Sequence, residues 1–561
     1  MGGAGRHRDH ALVMLWALLA CKPVSIDLDD TGVVDEPDLT DEVYDLEHLL
    51  RVEIELSEDD WDSLRTQSRT FESTIGQEDC QSQPFDNPFT WFEAAVTVDG
   101  QRYERVEVRK KGFLGSMSTD KPALKVDLGE FEDTDFKGQR RLTLNNSVSD
   151  PSFVRQCLSY SVFTDAGLAA PRCNLAAVTV NGQDLGIYVN VEPVKKPMRE
   201  RHYEDGDGNL YEGTLSDFRE GWTGTFEKKN NEAEDDWSDL QGLVEAAAAD
   251  DDDLIQALDE VLDLDQFNRF WAGEVLVMHG DGYASNTNNF FIYNDPSDGR
   301  FDFLPWGVDG TFYGGEGQEQ PVYANSLLTN RLINLDEGQE RYVEGMHWML
   351  DNAWDEGALE DRVQVMASLI EDEVGNWNQV EEQQDFVLSL IEDRRADLED
   401  ALQRPLEWPG EPRDSYCFVE FGQADASFST EWGSLLTQDA FSYGQSDLRL
   451  DFDDGTVLDV PGSAVVGESE GAAIFYFPSW ISETEAVIVY VSTDPSHIDE
   501  GEITLDLGAS GIGALFYMDT ETMEDFEFTA YILGTLTLDQ AGTDAGDPVS
   551  GDLDGTFLSF G

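Results

Sequence analysis

Short runs in which apolar and polar residues alternate dominate the chain from Leu50 onward. Val52-Glu53-Ile54-Glu55-Leu56 and the stretches 92–98 and 103–108 put every second side chain on one face, the period of a half-buried strand. Asp99-Gly100 supplies a hairpin turn between the last two. Further strands are predicted at 123–128 and 142–145, and a second hairpin, turning at Asn181-Gly182, joins 176–180 to 185–189. A helix is predicted over 151–166, with Asp150 to cap it, Pro151 in its first turn and Gly167 to end it. After Asp235 the apolar period becomes helical, at 240–249, 254–262 (with Asp253 as the cap), 267–277, 342–350, 358–370 and 386–402. From Cys417 to Gly561 the strand pattern returns, in runs such as 472–477, 486–491, 502–507 and 531–538 separated by Gly and Asp turns. Strands followed by helices define an α+β body over 48–405. Pro405, Pro409 and Pro412 mark 406–416 as a Pro-rich linker, and 417–561 reads as an all-β, sandwich-like accessory domain.

The first residues carry a different pattern. A basic start, with Arg6, His7 and Arg8, precedes ten apolar residues from Ala11 to Ala20. At about 1.5 Å per helical residue these fall short of the roughly 30 Å of hydrocarbon in a bilayer, so 1–20 reads as a signal peptide rather than a membrane span. Leu18-Leu19-Ala20-Cys21 resembles the bacterial lipobox, in which Cys21 becomes the lipidated first residue. The expectation is an exported, membrane-anchored bacterial lipoprotein, on the outer membrane or cell surface, with 21–47 as an acidic tether. Cys80, Cys157, Cys173 and Cys417 then remain, an even number that allows three disulfide pairings in an oxidising compartment.

Composition sharpens this picture at one point. Against 35 Lys and Arg stand 116 Asp and Glu, a formal charge of −81, which excludes a nucleic-acid partner because phosphate backbones need a cationic face. A surface adapted to high salt, calcium binding and plain solubility each account for such acidity. Asp205-Gly206-Asp207-Gly208-Asn209 has the look of a calcium loop, but Ser216 stands where an EF-hand carries Glu, and an ordinary turn uses the same residues.

Candidate chemistry concentrates in one stretch, His279-Gly280-Asp281-Gly282-Tyr283-Ala284-Ser285-Asn286 and on through Asn289, followed downstream by Asp309-Gly310. Phosphoryl transfer needs a carboxylate at the attacking hydroxyl, and a carboxylate and an amide oxygen to hold Mg²⁺. The His-x-Asp-x-x-x-x-Asn spacing is that of a protein-kinase catalytic loop. Clusters of Asn, Gly and Asp make turns equally well, and the spacing alone leaves both readings open. Such an enzyme also needs cations for phosphate. Arg109-Lys110-Lys111-Gly112 and the pair Lys121 and Lys125 stand out on an acidic background, with Glu192 as a partner for Lys125, although these lysines could equally balance neighbouring acids.

Several pieces recur here in the order seen in the spore coat protein H (CotH) kinase family. They are Arg109 to Gly112, Lys121 to Leu128, Arg141 to Asn146, Asp150 to Arg155, Gly186 to Glu192, Gly208 to Tyr211, Asp281 to Tyr293 and Pro305-Trp306-Gly307-Val308-Asp309. The chain resembles that family over roughly 50–400. The resemblance implies an atypical protein-kinase-like fold and phosphorylation of Ser or Thr in a surface or secreted protein from Mg-ATP, with Mn²⁺ as an alternative metal. It implies Lys125 and Lys121 at the phosphates, Asp281 in catalysis, and Asn286 or Asn289 with Asp309 at the metal. One residue departs: family members commonly read Pro-Trp-Asp-x-Asp, and Gly307 occupies the first Asp position. A catalytically inactive envelope or binding lipoprotein is therefore the alternative function.

Overall fold

The alternating runs at the start of the chain close into a barrel. In the computed structural model, which describes residues 39–560 apart from 71–73, 77–78, 315–319, 413, 470, 507–510 and 520–525, seven strands form it. They are β1 (Leu50–Glu55), β2 (Phe92–Val98), β3 (Gln101–Lys110), β4 (Leu124–Asp127), β5 (Arg141–Asn145), β6 (Cys173–Val180) and β7 (Gln183–Val191), in the order β1-β2-β3-β4-β5-β7-β6. Antiparallel hairpins build most of it, and the parallel pairing of β1 with β6, Val52 opposite Val178, closes it. The inward set, including Val52, Ile54, Val96, Val126 and Leu144, is fully buried, as the period of two requires.

Behind the barrel lies a four-stranded sheet, in the order β11-β10-β8-β9, made of β8 (Leu210–Gly213), β9 (Glu227–Lys228), β10 (Phe290–Asp295) and β11 (Arg300–Pro305). The helix Leu264–Leu276 packs beneath it through Phe267, whose ring centroid lies 4.8 Å from that of Phe303. The helices Asp336–Asn352, Glu356–Ile370 and Trp377–Ala401 surround that helix, with Trp271 against Tyr342 at 4.2 Å. Arg394, almost wholly buried, donates from Nη2 at 2.6 Å to the Val275 carbonyl, which at the helix end also accepts from the Met278 N–H at 3.1 Å. The chain thus folds as a mixed α+β body with a further β-rich region.

Two local expectations change. The helix foreseen from Pro151 begins at Arg155, because Phe153 takes a left-handed φ of 63° and breaks the first turn. Asp150 still serves its end, since its Oδ2 accepts from the Arg155 N–H at 3.0 Å. Asp253 occupies the N-cap position of Leu254–Asp259 without making a capping bond. The described residues of 406–416 carry no helix or strand, and Leu406 and Gly410 accept from Gln339 and Asn330 of the body at 2.9 and 2.8 Å.

The β-rich region forms, among the described residues, one ten-stranded sheet between Phe418 and Phe560, with a short helix at Ser434–Thr437. It folds over on itself. Phe428 of the strand Phe418–Glu431 meets Phe477 of Ala472–Trp480 at 4.7 Å, and a bridge pairs Trp432 with Val466. The two halves face each other like a sandwich, yet hydrogen bonding runs continuously round from one to the other. Among the described residues no helix is long and apolar enough to cross a membrane. The expected signal peptide, 1–20, and Cys21 lie outside them.

Candidate functional site

A cleft of about 580 Å³ opens between the barrel and the sheet-and-helix layer. One wall comes from the β3–β4 hairpin, where Arg109 and Lys125 are cross-strand partners and Lys111 follows β3 directly. The period of two sends Arg109 and Lys111 to the cleft and Lys110 to the other side, where its Nζ donates to the Arg65 carbonyl at 2.7 Å. Lys229, just after β9, completes this wall and pairs with Glu212 of β8 at 2.6 Å. Asn145 accepts a hydrogen bond from the Lys111 ammonium, while Lys125 has no hydrogen-bond or ion-pair partner among the described residues. Burial, then Arg109 and Lys111 close by, push the Lys125 ammonium down to about 7. Lys111 is held at about 8, again chiefly by burial, with Asp309 the strongest opposing influence.

The opposite wall follows from the end of Leu264–Leu276. His279 is buried with no hydrogen-bond partner on either ring nitrogen among the described residues, and Nδ1 lies 3.6 Å from Glu274 Oε1. Burial alone would lower its pKa, but Glu274, Asp281 and Asp309 together hold it above the ordinary value. Glu274, itself fully buried, accepts the N–H groups of Tyr283 and Ala284 at 2.9 and 2.8 Å, and so anchors the short helix Tyr283–Asn286. Gly282 is required here, because a Cβ would sit 2.3 Å from Glu274 Oε1 and 2.5 Å from His279 Nδ1. Met278, Thr287, Asn289 and Phe312 have positive φ of 57°, 45°, 53° and 52°, backbone strain concentrated around one loop system.

Asp281 is the centre of that system. Its Oδ1 accepts from Asn286 Nδ2 at 2.6 Å and Asn288 Nδ2 at 3.2 Å, and its Oδ2 from Asn289 Nδ2 at 2.7 Å. Asn289 stands just before β10 and Gly307 just after β11, and the register Phe290 opposite Pro305 brings them together. Gly307 has φ +56°, and a Cβ there would lie 2.4 Å from Asn289 Oδ1. Asp309 lines the same cleft; burial raises its pKa, Lys111 opposes that, and Asp281 adds to it. Gly307→Ala should turn the Asn289 amide off Asp281 and cut any activity of this site by roughly 10–100-fold. Unchanged rates would show that Asn289 does not position Asp281.

Of the residues expected from sequence, the cleft gathers Lys125, Asp281, Asn289 and Asp309. Lys121 is elsewhere: its Nζ donates to the Ile187 carbonyl at 2.7 Å between the rings of Phe153 and Tyr188. Glu192 does not partner Lys125. Arg201 grips both its oxygens at 2.6 Å and Arg172 adds 2.7 Å, because a carboxylate this buried needs a full set of donors. Asn286 supports Asp281 rather than facing the cleft, its Oδ1 being taken by the Tyr416 hydroxyl at 2.6 Å. Glu212, Asn288 and Lys229 were not foreseen; the scarcity of cations that marked Lys111 marks Lys229 in Glu227-Lys228-Lys229 equally well. In the Asp205 loop, the Asp207 carboxylate pairs with Lys196 at 2.7 Å, and Asp205 Oδ1 accepts from the Asp207 N–H.

The chain is thus a mixed α+β body whose cleft brings Arg109, Lys111, Lys125 and Lys229, the last paired with Glu212, together with Asp281, Asp309 and the Asn288 and Asn289 amides. The chain belongs to the CotH kinase protein family, whose family model matches residues 108–407. It is 24% identical over 315 residues to the inner spore coat protein H of Bacillus subtilis (strain 168), spanning 52% of this chain and 86% of that protein. Inner spore coat protein H-like protein of the same organism is 31% identical over 113 residues, 18% of this chain and 36% of that one. Invasin CotH3 of Rhizopus delemar (strain RA 99-880) is 24% identical over 197 residues, 32% of this chain and 33% of the fungal protein.

Proposed function

We propose that the chain is an atypical, kinase-like enzyme that transfers the γ-phosphate of Mg-ATP to Ser or Thr of a surface or secreted protein. The observation that carries this reading is the charge division of the cleft. In a chain with 35 basic and 116 acidic residues, Arg69, Arg109, Lys111, Lys125 and Lys229 converge on one pocket, where Glu212 and Glu227 pair with Lys229 and Asp86, Asp281 and Asp309 are the other acids. A triphosphate with a divalent cation matches that division, and the volume lies within the roughly 300–1,000 Å³ usual for small-ligand sites. Phe85 and Phe113, 5.5 Å apart at the cleft rim, offer apolar surface to a base.

Lys125 and Lys111 bind phosphate oxygens. Asp281, oriented by three amides, accepts the proton of the attacking hydroxyl, and buried His279 supports its loop from below. Asp309 and Asn289 Oδ1 would hold Mg²⁺ or Mn²⁺, which when bound neutralises charge developing on the transferred phosphoryl group.

A pH test follows from the lysines. Each is cationic below its pKa, about 7 for Lys125 and about 8 for Lys111, and loses its attraction for phosphate as pH rises. The Kd for ATP should rise by up to about tenfold per pH unit above roughly 7, until the bound-state pKa is passed. Lys125→Met should flatten that profile; an ATP affinity independent of pH from 6 to 9 counts against both lysines.

The direct experiment incubates the purified chain with labelled ATP, Mg²⁺ or Mn²⁺ and a Ser/Thr-rich acceptor. No incorporation, together with no ATP-dependent rise in melting temperature, sinks the enzyme reading. The spore coat and invasin names of its relatives support an exported protein, and Cys21 supplies its lipid anchor. Cys21→Ser should release it from membranes. Gly307 favours a second reading, an inactive kinase-like body that binds partners at the envelope.

A further inference from the structure

Asp281 is steadied by a residue from outside the family-matched region. The family model ends at 407, and Tyr416 lies in the stretch leading into the strand Phe418–Glu431. Its hydroxyl lies 2.7 Å from the Asn286 backbone oxygen and 2.6 Å from Asn286 Oδ1, and both are acceptors, so the phenol's single O–H is shared between them. Asn286 Nδ2 in turn donates to Asp281 Oδ1 at 2.6 Å. We propose that Tyr416 is a positioning residue for Asp281, acting through the Asn286 amide, and that the Cys80–Cys417 disulfide beside it holds it in place.

An Asn side chain is an acceptor at one end and a donor at the other, and an isolated contact does not fix which end faces which neighbour. Here the Asp281 carboxylate accepts from the NH₂ end, which leaves Oδ1 facing the Tyr416 hydroxyl, the donor that holds that end of the amide. Without that hydroxyl Oδ1 loses its donor and the amide is free to swing off the carboxylate, leaving Asp281 Oδ1 with the longer bond from Asn288 at 3.2 Å.

Tyr416 can act this way because it is itself fixed. It is 5% exposed, its N–H donates to Gln81 Oε1 at 3.1 Å, and its ring meets Trp222 edge-on at 5.2 Å. Gln81 donates onward to the Leu215 carbonyl at 2.9 Å, and Trp222 Nε1 to the Asp414 carbonyl at 3.1 Å. The disulfide ties the next residue, Cys417, to Cys80, next to Gln81. The start of the β-rich region and the 80–81 loop therefore clamp the loop that carries Asp281.

The effect on rate rests on the phosphoryl-transfer reading; the clamp does not. The test compares the full chain with Tyr416→Phe, which keeps the ring on Trp222, and with the double variant Cys80→Ser/Cys417→Ser. Amide hydrogen exchange of 281–289 is measured alongside kcat and KM for ATP. Tyr416→Phe should speed exchange in 281–289 about tenfold and lower kcat about tenfold, with KM within about twofold. The double variant should speed exchange in the same residues. Unchanged exchange overturns the proposal even if kcat falls, and so does faster exchange with an unchanged kcat. If the unmodified chain transfers no phosphate, the kinase reading fails on its own, and the exchange arm alone then decides whether Tyr416 orders this loop.

Discussion

Asp309→Ala should abolish phosphate incorporation, lowering kcat/KM for ATP by at least about 10³-fold. On the proposed reading Asp309 is the carboxylate offered to the metal, in a cleft where Gly307 stands in the position of the family's other acid and Asp281 is engaged by three amides. Its environment shows that it is held there against the fold's own preference. Burial raises its pKa above that of an unfolded aspartate, with Asp281 adding to the effect. The native state therefore binds more protons than the unfolded state in the window above the ordinary carboxylate pKa. Stability falls as pH rises through that window, because ionising the buried group is less favourable in the native state than in the unfolded one. Asp309→Asn should accordingly raise the melting temperature while removing activity, whereas a residue kept only for structure would lose stability on replacement. Asp281→Asn should behave differently, with a fall in kcat of about 10²–10⁴-fold and ATP binding largely retained, since the proposed function gives it the hydroxyl proton. An Asp309→Ala protein that keeps the metal dependence of the parent would remove Asp309 from the site.

The sequence made some of this geometry legible and hid the rest for identifiable reasons. Hairpins were readable because Asp99-Gly100 and Asn181-Gly182 tolerate the positive φ their turns need, 47° and 82° in one and 51° and 77° in the other. Barrel closure was not, because the parallel pairing of β1 with β6 joins segments more than a hundred residues apart and leaves no local trace. Spacing and resemblance pointed to Asp281, Asn289 and Asp309, and the scarcity of cations to Lys125, and all four line the cleft. Lys121 and Glu192 misled, since charge alone does not say which partner a buried group will find. Glu192 found Arg172 and Arg201, and Lys121 found a carbonyl and two rings. Asn286 was placed on the right loop but its amide oxygen went to Tyr416, 130 residues away.

Breaking the Cys80–Cys417 disulfide should cost the protein more than breaking Cys157–Cys173. Sequence left three pairings open, and the structure joins Cys80 to Cys417 across 337 residues and Cys157 to Cys173 across 16. Chain entropy gives about 3 kcal/mol for a loop of roughly 15 residues and about 5 for one of a hundred or more. Placement adds to that difference. The long-range bond lies against an apolar cluster in which Ile75, Leu215 and Trp222 of the body pack with Tyr416, Phe418 and Leu558 at the base of the β-rich region. Its loss lets that cluster open to water, whereas Cys157 sits within the helix Arg155–Asp165, whose burial holds it against the barrel independently. Cys80→Ser/Cys417→Ser should therefore lower the denaturation midpoint further than Cys157→Ser/Cys173→Ser, and should split one unfolding transition into two as the β-rich region parts from the body. A single transition with the smaller shift in the 80–417 variant would mean that the apolar cluster holds the two parts together without the covalent tie.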